Sequence, residues 1–233
     1  MLQKILRFCF IVVLIAACSE DEPEKGLSAY DESVIEYFNE IALGFEFGSA
    51  SEVTRKWKTD MKIFVGGYKQ QELMTELQTI IGEINTLATD GFSASVVTDT
   101  LQSNFYIFFG SGGDYVKKFP ALSTLVLSNW GLFNVFFHGS NEIYSGYMYV
   151  DTDRSNSVEE KHLLREELTQ SLGLAKDSNR YPDSIFQESW TTTTEYSDID
   201  KDLVRLLYHP SMQTGLDRSK CVEVLREIIL SEK

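Results

Sequence analysis

The chain has 233 residues, of which 43% are hydrophobic and 12% aromatic, and it contains only four prolines. This composition predicts an ordinary globular chain with one domain, long enough to bury a substantial core. The formal net charge of -14 argues against a nucleic-acid partner, because phosphates would be repelled over the whole surface.

The first 17 residues have the pattern of a signal peptide. Lys4 and Arg7 precede an apolar run at 8–17, which is too short for a permanent membrane span. Its end, Ile15–Cys18, resembles the lipobox of bacterial lipoproteins, and an ordinary secretory signal is the alternative. The resemblance implies that Cys18 is lipidated after cleavage. It also implies that the membrane is a partner and that the protein is lipid-anchored in the cell envelope, at the outer membrane.

A polar segment follows the lipobox. Residues 18–30 are expected to form a flexible acidic tether, because the stretch 19–26 has no apolar side chain to pack. It resembles the acidic export signal of surface-displayed lipoproteins, which implies exposure at the cell surface. Of the three cysteines, Cys9 lies in the signal and Cys18 would carry lipid, so Cys221 has no partner for an intramolecular disulfide. We therefore predict a single domain over 31–233.

Hydrophobic periodicity predicts alternating helices and strands in the first part of the domain. A helix from Asp31 stops near Gly44, and an apolar stripe at helical spacing predicts the clearest helix over 73–87. A mobile turn is predicted at 110–113. Strands are predicted at 57–65, 93–98, 104–109 and 131–137, and an edge-like strand at 142–150.

The second part of the domain is predicted to be mainly helical. Ser157 and Glu160 predict a capping box at the start of a helix that runs to Leu172, and Gly173 suits a left-handed ending. A polar loop region follows. Two more helices are expected, one between Ser197 and Pro210 and one after Gly215. Together the elements predict a mixed sheet flanked by helices.

The segment 166–174 resembles the H-E-x-x-H helix of zinc peptidases. In such a helix two imidazoles four residues apart hold the metal, and the intervening glutamate activates the bound water. Here Glu166 and Gln170 stand at the two histidine positions, and Glu167 stands at the position of the general base. The stretch 170–176 resembles the metzincin extension H-x-x-G-x-x-H. Gly173 is retained, and Lys176 stands in place of the third histidine.

A second element of the metzincin pattern follows the helix. Segment 183–186 resembles the turn beneath the metal of metzincins, with Phe186 at the methionine position and Ser184 at the serine position. Together with Asp177 and the segment Leu206–Pro210, these features resemble an uncharacterised family of bacterial zincin-like lipoproteins with a degenerate E-E-L-x-Q-x-L-G-L motif. The resemblance implies an α+β, zincin- or metzincin-like fold. It implies a mixed twisted sheet flanked by helices, a motif helix, C-terminal helices, and cleft or turn roles for Gly173, Asp177, Ser184 and Phe186.

The altered motif argues against a metal cofactor. A neutral glutamine amide is a weak zinc ligand, and Lys176 would place a positive charge beside the cation. Zinc stays an alternative, because His162, Glu166 and Gln170 fall on one helical face. The candidate ligands are then Glu166, Gln170, His162 and His209. In the structural alternative, His162 is a solvated side chain, Glu166 and Gln170 hydrogen-bond neighbouring loops, and Arg165 makes an ion pair.

Three functions are consistent with this sequence. The one we favour is a lipid-anchored envelope protein whose zincin-like cleft lacks the usual zinc ligands and binds a peptide, protein or glycan ligand. The second is an active metallopeptidase with an atypical metal site and Glu167 as the general base. The third is a structural envelope lipoprotein with a vestigial cleft.

Overall fold

A computed structural model describes residues 26–233 of the chain, so the predicted signal peptide, Cys18 and most of the tether lie outside the described residues. The described residues form seven α-helices and six β-strands. In chain order they are α1 Ala29–Ala42, β1 Lys56–Trp57, β2 Met61–Gly67, α2 Gln71–Leu87, β3 Ala94–Val96, β4 Phe105–Gly110, α3 Gly112–Lys118, α4 Ser123–Ser128, β5 Gly131–Phe137, β6 Glu142–Asp151, α5 Ser157–Gln170, α6 Asp198–Leu207 and α7 Arg218–Ser231. Within 26–233 no helix combines the length and apolarity needed to cross a membrane.

The six strands form one mixed sheet, as predicted. Five strands run parallel in the order β1-β6-β4-β2-β3, and β5 pairs antiparallel with β6 from Gly131↔Val150 to Phe137↔Ile143. The strand expected at the edge, 142–150, is therefore central, because β4 and β5 flank β6 on its two sides. Among the described strands, β5 pairs with β6 alone and forms one edge of the sheet, and β3, which pairs with β2 alone, forms another.

The single strand predicted at 57–65 is two strands with different neighbours. β1 pairs with β6, whereas β2 pairs with β3 and β4. The break falls where Asp60 Oδ1 accepts hydrogen bonds from the backbone N and Oγ of Ser93, at 3.2 and 3.0 Å. Gly66 lies within β2, just beyond the predicted end of the strand. A Cβ there would be 1.9 Å from the hydroxyl of Tyr106, so the neighbouring ring requires a glycine.

The core lies on both faces of the sheet. Helices α2, α5 and α6 pack together on one face, and α5 also contacts β5 and β6. Arg165, buried in α5, pairs with Glu76 and Glu83 of α2, which confirms the predicted ion pair. On the other face α3 and α4 cover a smaller aromatic cluster that includes Tyr115 and Tyr149.

Three local predictions are corrected at helix starts. Helix α1 begins at Ala29, with a capping box between Ser28 and Asp31, so residues 28–30 belong to the fold and not to the tether. The stretch 110–113 leads into helix α3, capped by Ser111, where a mobile turn was expected. The capping box of α5 is formed by Asn156 and Glu159, one residue earlier than predicted.

Candidate functional site

A cavity of about 780 Å³ lies between the motif helix α5 and the edge strand β5. Residues 131–135 of β5 form one wall, and Leu163, Glu166, Glu167 and Gln170 of α5 form the other. The loop 45–50 and the segment around Trp190 complete the lining. The motif residues at positions 166, 167 and 170 are thus brought together at one concave surface.

Glu167 is the most deeply placed carboxylate of the cavity. Its residue is 8% exposed, and it contacts Gly131 so closely that a Cβ there would be 2.5 Å from Glu167 Oε1. Burial raises the pKa of Glu167 well above its ordinary value, and the carboxylates of Glu166, Asp177 and Glu46 add to the effect. A backbone contact with Phe133 acts in the opposite direction. The geometry therefore favours a proton on this group.

Glu166 pairs with a histidine of its own helix. His162 Nε2 lies 3.4 Å from Glu166 Oε2, and His162 Nδ1 lies 2.7 Å from the carbonyl of Thr193. Because a carbonyl can only accept, Nδ1 carries hydrogen and Nε2 of the neutral ring must accept. Burial lowers the pKa of His162 and raises that of Glu166, so a protonated Glu166 can donate to Nε2. His162 is buried, at 2% exposure, which corrects the expectation of a solvated side chain.

Gln170 is held by the segment that follows the helix. Its side-chain amide donates to Asp177, whose pKa is raised to about 6, first by burial and then by Glu188. Lys176 does not reach the cavity. Its ammonium lies 3.1 Å from Glu52, and its neighbours Ala175 and Asp177 line the cavity instead. The ammonium of Lys176, which the sequence predicts in the cavity, therefore lies outside it, and the carboxylate of Asp177 lines the cavity instead.

The other candidate residues lie elsewhere. His209 follows α6, accepts a hydrogen bond from the backbone of Ser211 at 3.1 Å, and is absent from the cavity lining, so the four candidate ligands do not surround one point. Gly173 has φ +118°, as predicted, and a Cβ there would be 2.0 Å from the carbonyl oxygen of Arg55. Ser184 donates to Asp200 at 2.6 Å, and Phe186 is fully buried. These last three residues support the fold and do not line the cavity.

The comparisons with known proteins identify a family. A family profile described as "Protein of unknown function (DUF2927)" matches residues 31–227. The chain belongs to the DUF2927 family. This confirms the prediction of an uncharacterised family. A solved structure entitled "Structure of Myroilysin" is similar over 66% of this chain and 82% of that chain, with 14% sequence identity and a TM-score of 0.39. No curated protein matches the sequence.

The DUF2927 cavity contains residues that sequence reasoning missed. Glu46 and Glu188 lie in loops far apart in the chain, and both line the cavity with Asp177. Burial raises the pKa of Glu46 to about 7, and the nearby carboxylates of Asp177 and Glu188 add to the effect. Trp130 and Trp190 form an edge-to-face pair, with ring centroids 5.3 Å apart, at the same site. No local pattern marks these residues, because only the tertiary fold brings them together.

The donor atoms of the cavity decide how well this chain could hold a metal ion. Within residues 26–233, no three or more His, Cys, Asp or Glu side chains are grouped so that they could hold a metal ion. Glu166 is engaged with His162, and the amide of Gln170 with Asp177. The arrangement offers carboxylates to a ligand from several directions, without the compact donor set of a zinc peptidase.

Proposed function

We propose that this DUF2927 protein is a lipid-anchored envelope protein with a zincin-like fold that lacks the usual zinc ligands and binds a peptide, protein or glycan ligand in its cavity. The main support comes from Glu166 and Gln170, which stand at the two positions where an H-E-x-x-H helix has its zinc-binding histidines. Glu166 and Gln170 face an open cavity while they contact other side chains of the protein. These contacts support a cavity that is open to a ligand and in which both side chains already have partners other than a metal.

The size of the cavity favours a binding role over a vestigial cleft. A vestigial cleft would be filled by side chains, because a void without a ligand loses packing contacts. The volume of about 780 Å³ lies within the range of roughly 300–1,000 Å³ that is typical of small-molecule sites. Its lining combines aromatic rings with a few polar groups, as ligand sites usually do.

The zincin-like part of the proposal is supported by the place of the motif helix. Helix α5 forms one wall of the cavity beside the edge strand β5, and Glu167 lines the cavity. The zincin resemblance requires this placement, because the motif helix of such a fold must run below an open groove at the sheet edge. The lipid anchor is supported by the sequence Ile15–Cys18 alone.

Metal analysis and a cleavage assay test the proposal together. We expect the purified full chain to contain far less than one zinc per molecule and to leave a peptide library intact, with or without a chelator. If the native chain contains one zinc per molecule and Glu166→Gln loses it, the proposal that the cavity works without zinc is wrong. Replacement of Cys18 by alanine should move the protein from the membrane fraction to the soluble fraction, and unchanged membrane association would contradict the lipid anchor.

One observation favours the metallopeptidase alternative. Asp177 lines the cavity beside Gln170 and adds a carboxylate near Glu166, so the site offers more oxygen donors than the motif alone. In that case Glu167 would be the general base. Chelator-sensitive cleavage that disappears in Glu167→Gln and persists in Glu223→Gln, an exposed position on α7, would establish this function in place of the proposed one.

A further inference from the structure

The cavity is lined by acidic side chains without matching basic ones. Its lining includes six acidic residues and neither a lysine nor an arginine. The six are Glu46, Glu159, Glu166, Glu167, Asp177 and Glu188. Two arginines lie against lining rings without being part of the lining. Arg154 is 5.9 Å from the ring centre of Trp130, and Arg55 is 4.4 Å from that of Phe137 and 5.4 Å from that of Phe45. The guanidinium of Arg55 is hydrogen-bonded to Ser51 and to the carbonyl of Val53.

The acidic side chains also lack cationic partners inside the protein. Within residues 26–233, Glu166 alone of the six lies within ion-pair distance of a basic group, and that group is the buried His162. Glu167 is more than nine-tenths buried, faces the cavity, and has no side-chain hydrogen-bond partner in that part of the chain. Its one polar contact is with the backbone of Phe133, which carries no positive charge. Ionisation of a buried carboxyl without a cationic partner is costly, so a ligand that supplies a positive charge would relieve this cost.

The apolar part of the lining suits the stem of an organic cation. Six aromatic residues line the cavity, namely Phe45, Phe47, Trp130, Phe133, Phe137 and Trp190. Aromatic faces attract ammonium and guanidinium groups, and they also pack against the methylene groups of lysine and arginine side chains. Trp190 is 56% exposed and paired with Trp130, so its ring is available at the mouth of the cavity.

An inorganic cation fits this cavity less well than an organic one. The acidic side chains are spread over the loop at 46, the helix α5 and the segment 177–188, and no three of them converge within the described part of the chain. A volume of about 780 Å³ also exceeds what a single dehydrated ion needs. The charge is distributed along a large, partly apolar surface, and this suits an extended ligand.

We propose that the cavity between α5 and β5 binds an alkylammonium or guanidinium group on an apolar stem, as carried by the lysine or arginine side chains of a peptide. The proposal rests on the proposed binding function and names the ligand chemistry of the same site. Glu166 and Glu167 contact the cation from helix α5, Asp177 and Glu188 contact it from the segment 177–188, and the aromatic rings hold the stem.

Binding of defined probes to the purified full chain tests this ligand class. The probes are a pentalysine peptide with blocked ends, the same peptide with acetylated lysine side chains, and spermidine. The fluorescence of Trp130 and Trp190 reports binding in the cavity, and calorimetry gives the affinity. Salt at about 0.15 M reduces attraction by the general negative charge of the surface, since the Debye length is then about 8 Å. Glu223→Gln removes one exposed charge on α7 as the matched control.

We expect pentalysine to bind and its acetylated form to bind at least about ten-fold more weakly, because removal of one partner of a desolvated charge pair is costly. Glu166→Gln and Glu167→Gln should each weaken pentalysine binding to a similar degree, whereas Glu223→Gln should leave it unchanged. Competition by spermidine at equal affinity would also support the ligand chemistry and would identify a free polyamine as its source.

Two outcomes would overturn the inference, and they differ from failure of the proposed function. Equal binding of the acetylated and unmodified peptides, or equal loss of affinity in Glu223→Gln and Glu167→Gln, would show that the cavity has no cation preference. If a neutral peptide or glycan binds at the cavity of the metal-free protein in either case, the proposed function stays intact and only the cationic ligand is refuted. Zinc-dependent cleavage would instead refute the proposed function itself.

Discussion

Gly131 on the edge strand β5 and Glu167 on the motif helix α5 are in direct contact. A Cβ at position 131 would lie 2.5 Å from Glu167 Oε1 and 3.0 Å from Leu163 Cδ2. The strand and the helix therefore approach so closely that a side chain at position 131 would have to displace the carboxylate. The position of Glu167 in the cavity thus depends on a glycine in the opposite wall.

Replacement of Gly131 by alanine should destabilise the protein by about 1–3 kcal/mol, which is the usual cost of overpacking a well-filled site. The free energy of unfolding in urea measures this effect. Gly82→Ala on the exposed side of α2 is the control, because a Cβ there meets nothing within 4 Å. That change should stabilise the protein by about 0.5–1 kcal/mol, since alanine is the better helix former.

A double mutant tests whether the contact with Glu167 causes the loss. In a Glu167→Ala background the added methyl group has more room, so Gly131→Ala should cost clearly less than it does in the native chain. An equal cost in both backgrounds would show that the contact with Glu167 does not limit position 131.

The buried carboxylates predict how stability depends on pH. Burial raises the pKa of Glu167 above its ordinary value of 4.5, and Glu166, Asp177 and Glu46 reinforce the shift. Three other buried groups near Glu166 and Glu167 also have shifted pKa values. Burial lowers the pKa of His162 and raises the pKa values of Tyr115 and Tyr149. Above pH 4.5 the buried carboxyls therefore bind more protons in the folded state than in the unfolded state, whereas His162 acts in the opposite direction just below its ordinary pKa of 6.5. Stability should fall as the pH rises from 4.5 to the raised pKa values.

Glu167→Gln isolates the contribution of that one group. The substitution removes an ionisable carboxyl whose charged form is disfavoured by burial, so the variant should be more stable than the native protein at pH 8. At pH 4 the two proteins should differ little, because the native carboxyl is then protonated in both states. Urea unfolding at the two pH values, with Glu223→Gln as the exposed control, measures the difference. A variant that is less stable at pH 8 would show that the ionised carboxylate is well solvated.

The ion pairs of Arg165 should be essential for the packing of α5 on α2. Arg165 is 2% exposed and lies 2.9 Å from Glu76, and it also donates to Glu83. Arg165→Met should cost about 3 kcal/mol or more, because loss of one partner leaves buried charge uncompensated. The exposed pair of Arg226 and Glu32 provides the control, and Arg226→Met should cost at most about 1 kcal/mol. Similar losses in both variants, measured in urea, would contradict this role for Arg165.

The sequence predicted those elements whose pattern is local. Strand β5 was placed at its observed bounds and α2 within two residues of its start, because each has its own periodicity. The separation of β1 from β2 was missed, since the contact between Asp60 and Ser93 that accompanies the break is tertiary. The capping box of α5 was misplaced by one residue, because Asn156 and Ser157 are both good N-caps.

The candidate site divides in the same way. Glu166, Glu167 and Gln170 were identified because metal-ligand spacing on a helix is a local pattern. Glu46 and Glu188 could not be identified, since they join the site only through folding of separate loops. The metzincin extension predicts Lys176 beside the metal position, but the chain beyond Gly173 is irregular, and Lys176 pairs with Glu52 while Asp177 lines the cavity.

Two histidines introduced at the former ligand positions test the zincin-like scaffold directly. Glu166→His together with Gln170→His places two imidazoles four residues apart on α5, with Glu167 between them and Asp177 available as a third donor. Such a variant should bind zinc at least about ten-fold more tightly than Glu223→His with Glu227→His, which has the same spacing on the exposed face of α7. Asp177→Asn should remove most of this advantage. If both histidine pairs bind zinc equally, the cavity supplies no additional ligand, and its resemblance to a metal centre is limited to the spacing along one helix.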